Sequence, residues 1–237
     1  MKTTLLATAL LLGLSTASLA HKGSKSSDSY KKTVSILGDS YSTFEDYLLP
    51  DSNAVWYVNG KIDRTDVTDV EQTWWHRFIK NQGMRLEVNN SFSGATICYT
   101  GYNGQNYENR SFCNRLKYLG SPDIIFVFGA TNDDWAKSPV GDFKYNDWTR
   151  QDLFSFRPAM AYMLSRLTKR YPNVDIYFIM NCDLRDDITS SCQEICRHYG
   201  VDCINLHGIK KINGHPSIEG MKQIEEQIVT YINQKKK

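Results

Sequence analysis

Val34-Ser35-Ile36-Leu37-Gly38-Asp39-Ser40 joins a short apolar run to a glycine and two polar residues. A run this short, stopped by a turn signal, reads as a buried β-strand leaving the core at Gly38. The pattern recurs at Leu86–Asn89, Ile124–Phe128, Ile176–Met180 and Val201–Asn205. Ile124–Phe128 is apolar throughout, as a strand covered on both faces must be. Between the runs lie helical periods. Glu71–Asn81 places Trp74, Trp75, Phe78 and Ile79 on one side and stops at Gly83; Phe154–Tyr171 is ended by Pro172. Further helices are expected from about Arg185 to Tyr199, ended by Gly200, and over Ser217–Gln234. Strands alternating with helices predict a three-layer α/β/α sandwich around a five-stranded parallel sheet, flavodoxin-like, in the order 2-1-3-4-5.

The flanks carry different information. Residues 1–20 combine Lys2, an apolar stretch from Leu5 to Leu14 and Ser18-Leu19-Ala20, a small-x-small site, so they read as a signal peptide cleaved after Ala20. The mature chain is expected to be exported, to a periplasm or the medium. No later segment approaches the ~20 apolar residues of a membrane span. Residues 21–32 are polar and Ser/Lys-rich, a disordered lead-in to a single domain over 33–237. A formal charge of +2 argues for neither nucleic acid nor an anionic membrane as partner. Cys98, Cys113, Cys182, Cys192, Cys196 and Cys203 all follow the leader. Their even number permits disulfides in an exported protein but selects no pairing, and structural disulfides or buried thiols are expected rather than a zinc site.

In open parallel sheets the ligand site lies beyond the carboxyl ends of the strands. Ser40 emerges there after the first strand, Gly94 after the second and Asn132 after the third. A hydroxyl, a side-chain-free N–H and a carboxamide at one rim are the parts of a nucleophile with an oxyanion hole. His215 is the expected base. His21 lies in the lead-in, and His76 and His198 sit on helices. His207 also follows the last strand, but Pro216 and Ser217 open the closing helix and fix His215 against the rim. Asp39 is expected to brace the nucleophile loop and Asp133 to tie the Asn132 turn. With Asp134 they could suggest a metal cluster, but hydrolysis by serine needs none, and no cofactor or metal is expected.

Gly38-Asp39-Ser40, Gly94 within Asn90-Ser91-Phe92-Ser93-Gly94, Gly129-Ala130-Thr131-Asn132-Asp133 and His215-Pro216, in that order, resemble the signature blocks of the SGNH (GDSL) hydrolase family from about Val34 to the C-terminal helix. The resemblance implies a serine esterase with Ser40 and His215 as catalytic pair and Ser40, Gly94 and Asn132 as oxyanion hole. One position departs from it. Where the family usually carries an Asp three residues before the His, this chain has Ile212. A backbone carbonyl could orient the imidazole in a Ser–His dyad, Asp183 or Asp133 could reach in from a neighbouring loop, or the site could be inactive.

Two long connections, Ser42–Val70 and Thr131–Asp152, are rich in aromatics: Phe44, Tyr47, Trp56, Tyr57, Trp135, Phe143, Tyr145 and Trp148. Long ordered loops in compact α/β domains are usually functional. Trp135 and Tyr145 are the expected substrate platforms, and a short acyl (acetyl) group on a saccharide the expected substrate. Alternatives are a lipid or thioester hydrolase using the same residues, a non-catalytic carbohydrate-binding protein on a degenerate scaffold, and a flavodoxin-like electron carrier, for which the chain lacks the several Ser/Thr/Gly donors of a phosphate loop.

Overall fold

The computed structural model describes residues 30–235; the expected signal peptide and nearly all of the lead-in lie outside them. In chain order the elements are β1 (Thr33–Gly38), α1 (Trp74–Asn81), β2 (Arg85–Ser91), α2 (Phe112–Arg115), β3 (Ile124–Gly129), α3 (Thr131–Trp135), α4 (Phe156–Arg170), β4 (Asp175–Met180), α5 (Asp186–Tyr199), β5 (Asp202–Asn205), β6 (Lys211–Ile212), β7 (His215–Pro216) and α6 (Ile218–Lys235). Five parallel strands form one sheet in the order β2-β1-β3-β4-β5, as the alternating pattern predicted.

Strand alternation splits the core. Ile36, Phe126 and Phe128 face α1 and α6, where Trp74, Phe78, Met221, Ile224 and Ile228 meet them. Leu37, Ile125 and Val127 face α4 and α5, against Met160, Leu164, Ile188 and Ile195. Burying each such side chain contributes about 1.5–3 kcal/mol, so the central strand, apolar on both faces, anchors the three layers.

Element ends depart from the periodicity where capping chemistry competes. The first helix starts at Trp74, not Glu71, because Asp69 and Gln72 form a capping box around a 3₁₀ turn, Val70–Gln72, and Thr73 then caps α1 through the His76 N–H. The helix expected from Phe154 begins at Phe156, after a 3₁₀ turn over Asp152–Phe154. At Gly200 the left-handed φ of +64° closes α5 as expected. The connection Thr131–Asp152 is not wholly loop, since α3 occupies its first five residues. The short hairpin β6–β7 was not anticipated either; Asn213 and Gly214 form its turn, both with positive φ.

All six cysteines are free thiols, Cys182 and Cys203 partly exposed and the others buried, so the alternative of buried thiols describes them better than disulfides. Among the described residues no group of three or more His, Cys, Asp or Glu side chains is placed to hold a metal ion, and no helix is long and apolar enough to cross a membrane.

Candidate active site

The end of β1 is locked before the polar triplet begins. A Cβ on Gly38 would lie 2.6 Å from Ser91 Oγ and 2.7 Å from Ser42 Cβ, so only glycine lets β1 and β2 end this close together. Arg115, buried at the end of α2, donates to the carbonyls of Gly38 (3.0 Å), Arg110 (2.8 Å) and Asn90. Asp39 then caps the 3₁₀ turn Ser40–Ser42 by accepting from the Tyr41 N–H at 3.0 Å, the bracing role expected of it. Its other carboxylate oxygen is buried without a partner, and burial pushes the carboxyl up to about 7. Ser40 is thereby held at the carboxyl end of β1, 3 % exposed.

His215 comes to it from the hairpin. Nε2 lies 2.9 Å from Ser40 Oγ, and Nδ1 lies 3.1 Å from the carbonyl oxygen of Asn213. That carbonyl accepts only if Nδ1 carries the proton, which leaves the Nε2 lone pair facing the hydroxyl. The left-handed Asn213 and Gly214 fold the chain back so that the carbonyl reaches the ring two residues on. This is the carbonyl alternative left open by Ile212. Asp183 is 82 % exposed and pairs with Lys211, while Asp133 is engaged elsewhere; neither contacts the imidazole. Ile212 itself pairs with His215 across the hairpin and is partly exposed.

Three aromatic rings surround the imidazole. Trp56 stacks on its face at 3.6 Å and 8°, Trp135 meets it edge-on at 5.8 Å, and Tyr41 lies at 5.3 Å. Trp56 is held by the hydroxyl of Thr43 on its N–H and by Arg64, which donates to its carbonyl and sits 4.9 Å over its ring. Tyr41 donates to the Gly214 carbonyl (2.5 Å) and Tyr57 to that of Pro216 (2.9 Å), so the turn after β1 and the long first loop both hold the hairpin. Burial lowers the His215 pKa to about 4; Arg64 and Lys211 push the same way, and the Asn213 carbonyl opposes them. The ring is therefore expected to stay neutral to about pH 5 and to titrate near 4, as the Cε1–H NMR shift assigned through His215→Gln would measure. A midpoint near 6.5 would mean a solvated ring. Because the folded pKa lies below the usual 6.5, this group favours folding fully above 6.5 and progressively less as the pH falls from 6.5 towards 4.

Gly94 and Asn132 follow the carboxyl ends of β2 and β3, the strands on either side of β1. Asn132 is 2 % exposed; its Oδ1 accepts from the Tyr102 hydroxyl at 2.7 Å, and its Nδ2 is buried without a partner. Gly94 takes a positive φ of 80°, and neither its N–H nor that of Ser40 has an acceptor among the described residues. Asp133 was expected to tie the Asn132 turn; its oxygens instead hold the neighbouring block, accepting from the N–H groups of Ile97 (2.8 Å) and Cys98 (3.1 Å) just beyond Gly94. Burial raises it to about 6, and those two N–H groups work against the shift.

Tyr145 is misplaced by the expectation. Its ring stacks on His198 at 3.8 Å and packs on Tyr199 at the C-terminal end of α5, where β5 starts, so it serves packing away from the Ser40–His215 pair. Trp135, 38 % exposed beside His215, remains at the rim. Trp56 was expected only as one of the loop aromatics, and Arg64, Tyr102 and Arg115 carry no signal in the sequence. Only Asn213-Gly214, the strongest short hairpin signal, could have announced the turn that orients His215.

The model of the GDSL-like lipase/acylhydrolase family matches residues 32–232. The chain belongs to that family. Among solved structures, a protein from Bacteroides ovatus inferred to be a GDSL-like lipase is 59 % identical, with a TM-score of 0.86 over 86 % of this chain and 99 % of that one. A second such protein, from Bacteroides uniformis, is 51 % identical, with a TM-score of 0.84 over 86 % and 96 %. An acetyl xylan esterase from Butyrivibrio proteoclasticus shares the fold at 17 % identity and a TM-score of 0.52, covering 87 % of this chain and 64 % of that one. No curated protein matches. With the family shown, the chain is a GDSL-type ester hydrolase.

Proposed function

We propose that this hydrolase is an exported esterase that removes short acyl groups, acetyl foremost, from saccharides through a Ser40–His215 dyad. The observation that carries the reading is the continuous line from Ser40 Oγ through the imidazole to the Asn213 carbonyl. Ser40 Oγ attacks the ester carbonyl while its proton passes to Nε2. The tetrahedral oxyanion is held by the N–H groups of Ser40 and Gly94 and by Asn132 Nδ2. The imidazolium then gives its proton to the departing sugar alkoxide as the C–O bond breaks. Water, deprotonated by the same nitrogen, releases the acid from acyl-Ser40. With no carboxylate on Nδ1, the positive charge that forms on the ring is met by the Asn213 carbonyl dipole and the π face of Trp56.

Support for the substrate comes from the rim. Trp135, 38 % exposed and edge-on to His215, presents a flat apolar wall suited to a pyranose face, while Trp56 backs the imidazole. Rings this close to the imidazole suit a short acyl chain. Distant fold neighbours include a carbohydrate esterase and the acetyl xylan esterase. The test is a profile of 4-nitrophenyl esters from acetate to decanoate beside acetate release from acetylated xylan. The expected outcome is kcat/KM falling at least tenfold between acetyl and hexanoyl, with acetate released from the polysaccharide. Rates rising with chain length would favour a lipid or thioester ester and overturn the saccharide reading.

A further inference from the structure

Asn132 presents an asymmetry that the proposed chemistry does not by itself explain. A carboxamide offers an acceptor and two donors, and it serves an oxyanion only if the NH₂ group faces the reacting carbon. Reversed, it would aim a carbonyl oxygen at the developing negative charge. Something must choose between the two orientations.

Tyr102 makes that choice. Its hydroxyl lies 2.7 Å from Asn132 Oδ1, and among the described residues no other hydrogen bond holds the amide side chain, whose Nδ2 is buried and bare. The phenol is half-buried, and burial raises its pKa to about 12, so it remains a proton donor at any working pH. The segment carrying it is fastened on both sides. Before Tyr102, Thr100 Oγ1 donates to the Phe154 carbonyl (2.7 Å), and the Thr100 carbonyl accepts from Ser138 Oγ (2.8 Å). After it, the Gln105 carbonyl accepts from the Gly101 N–H (2.8 Å), and the Tyr107 N–H donates to the Tyr99 carbonyl (2.7 Å). Gly101 lies so close to the Tyr107 ring that any Cβ there would come within 2.1 Å of it. The phenol is thus delivered by a preformed loop, and a dipole fixed before reaction costs no reorganisation when charge develops.

Building on the proposed oxyanion role of Asn132, we propose that Tyr102 is a positioning residue that locks the Asn132 carboxamide with its NH₂ group toward the reacting centre. Its hydroxyl acts through Asn132, and its effect should appear only in states that carry an oxyanion.

The experiment is a double-mutant cycle of Tyr102→Phe and Asn132→Ala, read on 4-nitrophenyl acetate and on inhibition by methylboronic acid, whose serine adduct is tetrahedral. Tyr102→Phe is expected to lower kcat about tenfold with KM within twofold of wild type. It should weaken boronate inhibition by a similar factor and, because Asn132 Oδ1 loses its donor, lower the thermal midpoint by no more than several degrees. In the Asn132→Ala background the same change should cost less than twofold, because there is no amide left to orient. A Tyr102→Phe enzyme at full rate overturns the proposal, as does an equal tenfold loss in both backgrounds or a loss confined to KM. Full rate in Asn132→Ala alone would overturn the oxyanion reading itself and so is separable from a failure of Tyr102.

Discussion

Ser40→Ala should lose at least about 10⁴-fold in kcat toward an activated acetate ester, the scale on which removal of a serine nucleophile acts in comparable sites, with its thermal midpoint near that of wild type. The fold should tolerate the change because Ser40 contributes one side-chain hydrogen bond, to His215 Nε2, and the net loss of such a bond costs about 1 kcal/mol. His215 stays in place through contacts that do not involve Ser40: the Asn213 carbonyl, the Trp56 stack and the Tyr41 hydroxyl on Gly214. His215→Ala should fall by a comparable factor, and the double variant should be hardly slower than either single one, since neither half of a dyad has work to do without the other. A fluorophosphonate probe gives the same answer without turnover: wild type labels, and both variants fail to. Turnover persisting in Ser40→Ala at more than about one hundredth of the wild-type rate would remove Ser40 from the chemistry.

Much of this arrangement was legible because it follows from short-range rules applied to an α/β pattern. Ile124–Phe128 could only be a central strand, so Asn132 had to stand at its carboxyl end, and the same logic carried Ser40 and Gly94 to one rim. What escaped was set by contacts distant in sequence. Trp56 reaches His215 because Tyr57 anchors to Pro216 and Arg64 grips the Trp56 carbonyl, pairings to which no spacing rule points. Tyr145 shows the converse: an aromatic in a long loop was as eligible for the site as Trp135, and only the packing of His198 and Tyr199 drew it away. Ile212 looked like a defect because the acid is expected from a side chain. Asn213-Gly214 supplies a backbone acceptor instead, by turning the chain so tightly that a residue's own neighbour fills the place. Arg115 was invisible for another reason. A buried guanidinium spent on backbone carbonyls has no pattern in sequence, although it holds the strand ends from which Ser40 and Gly94 depart.

Asn132→Ala is expected to lower kcat by about 10²–10³-fold, equivalent to about 3–4 kcal/mol of barrier, and to leave KM for a small ester within a few-fold of wild type. The asymmetry between the two constants follows from the state of Nδ2. A buried donor with no partner already carries a desolvation cost of about 1–3 kcal/mol in the resting protein. An ester carbonyl is a weak acceptor and relieves part of that cost; the oxyanion relieves all of it. On the proposed oxyanion role the interaction is stronger in the transition state than in the ground state, the condition for raising kcat rather than tightening substrate binding. Removing the amide also removes the orphan donor, so Asn132→Ala should be no less stable than wild type, and the Tyr102 hydroxyl, half-buried, can turn to water. Asn132→Asp separates charge from shape. A carboxylate of nearly the same outline would still accept from Tyr102 but would face the developing oxyanion with negative charge, in a site where burial already raises Asp39 and Asp133. Its kcat should lie below that of the alanine variant near neutral pH and recover towards it as acidification protonates the new carboxyl. An aspartate variant as fast as wild type would mean that the amide is not facing the reacting carbonyl, and the oxyanion would then rest on the two backbone N–H groups alone.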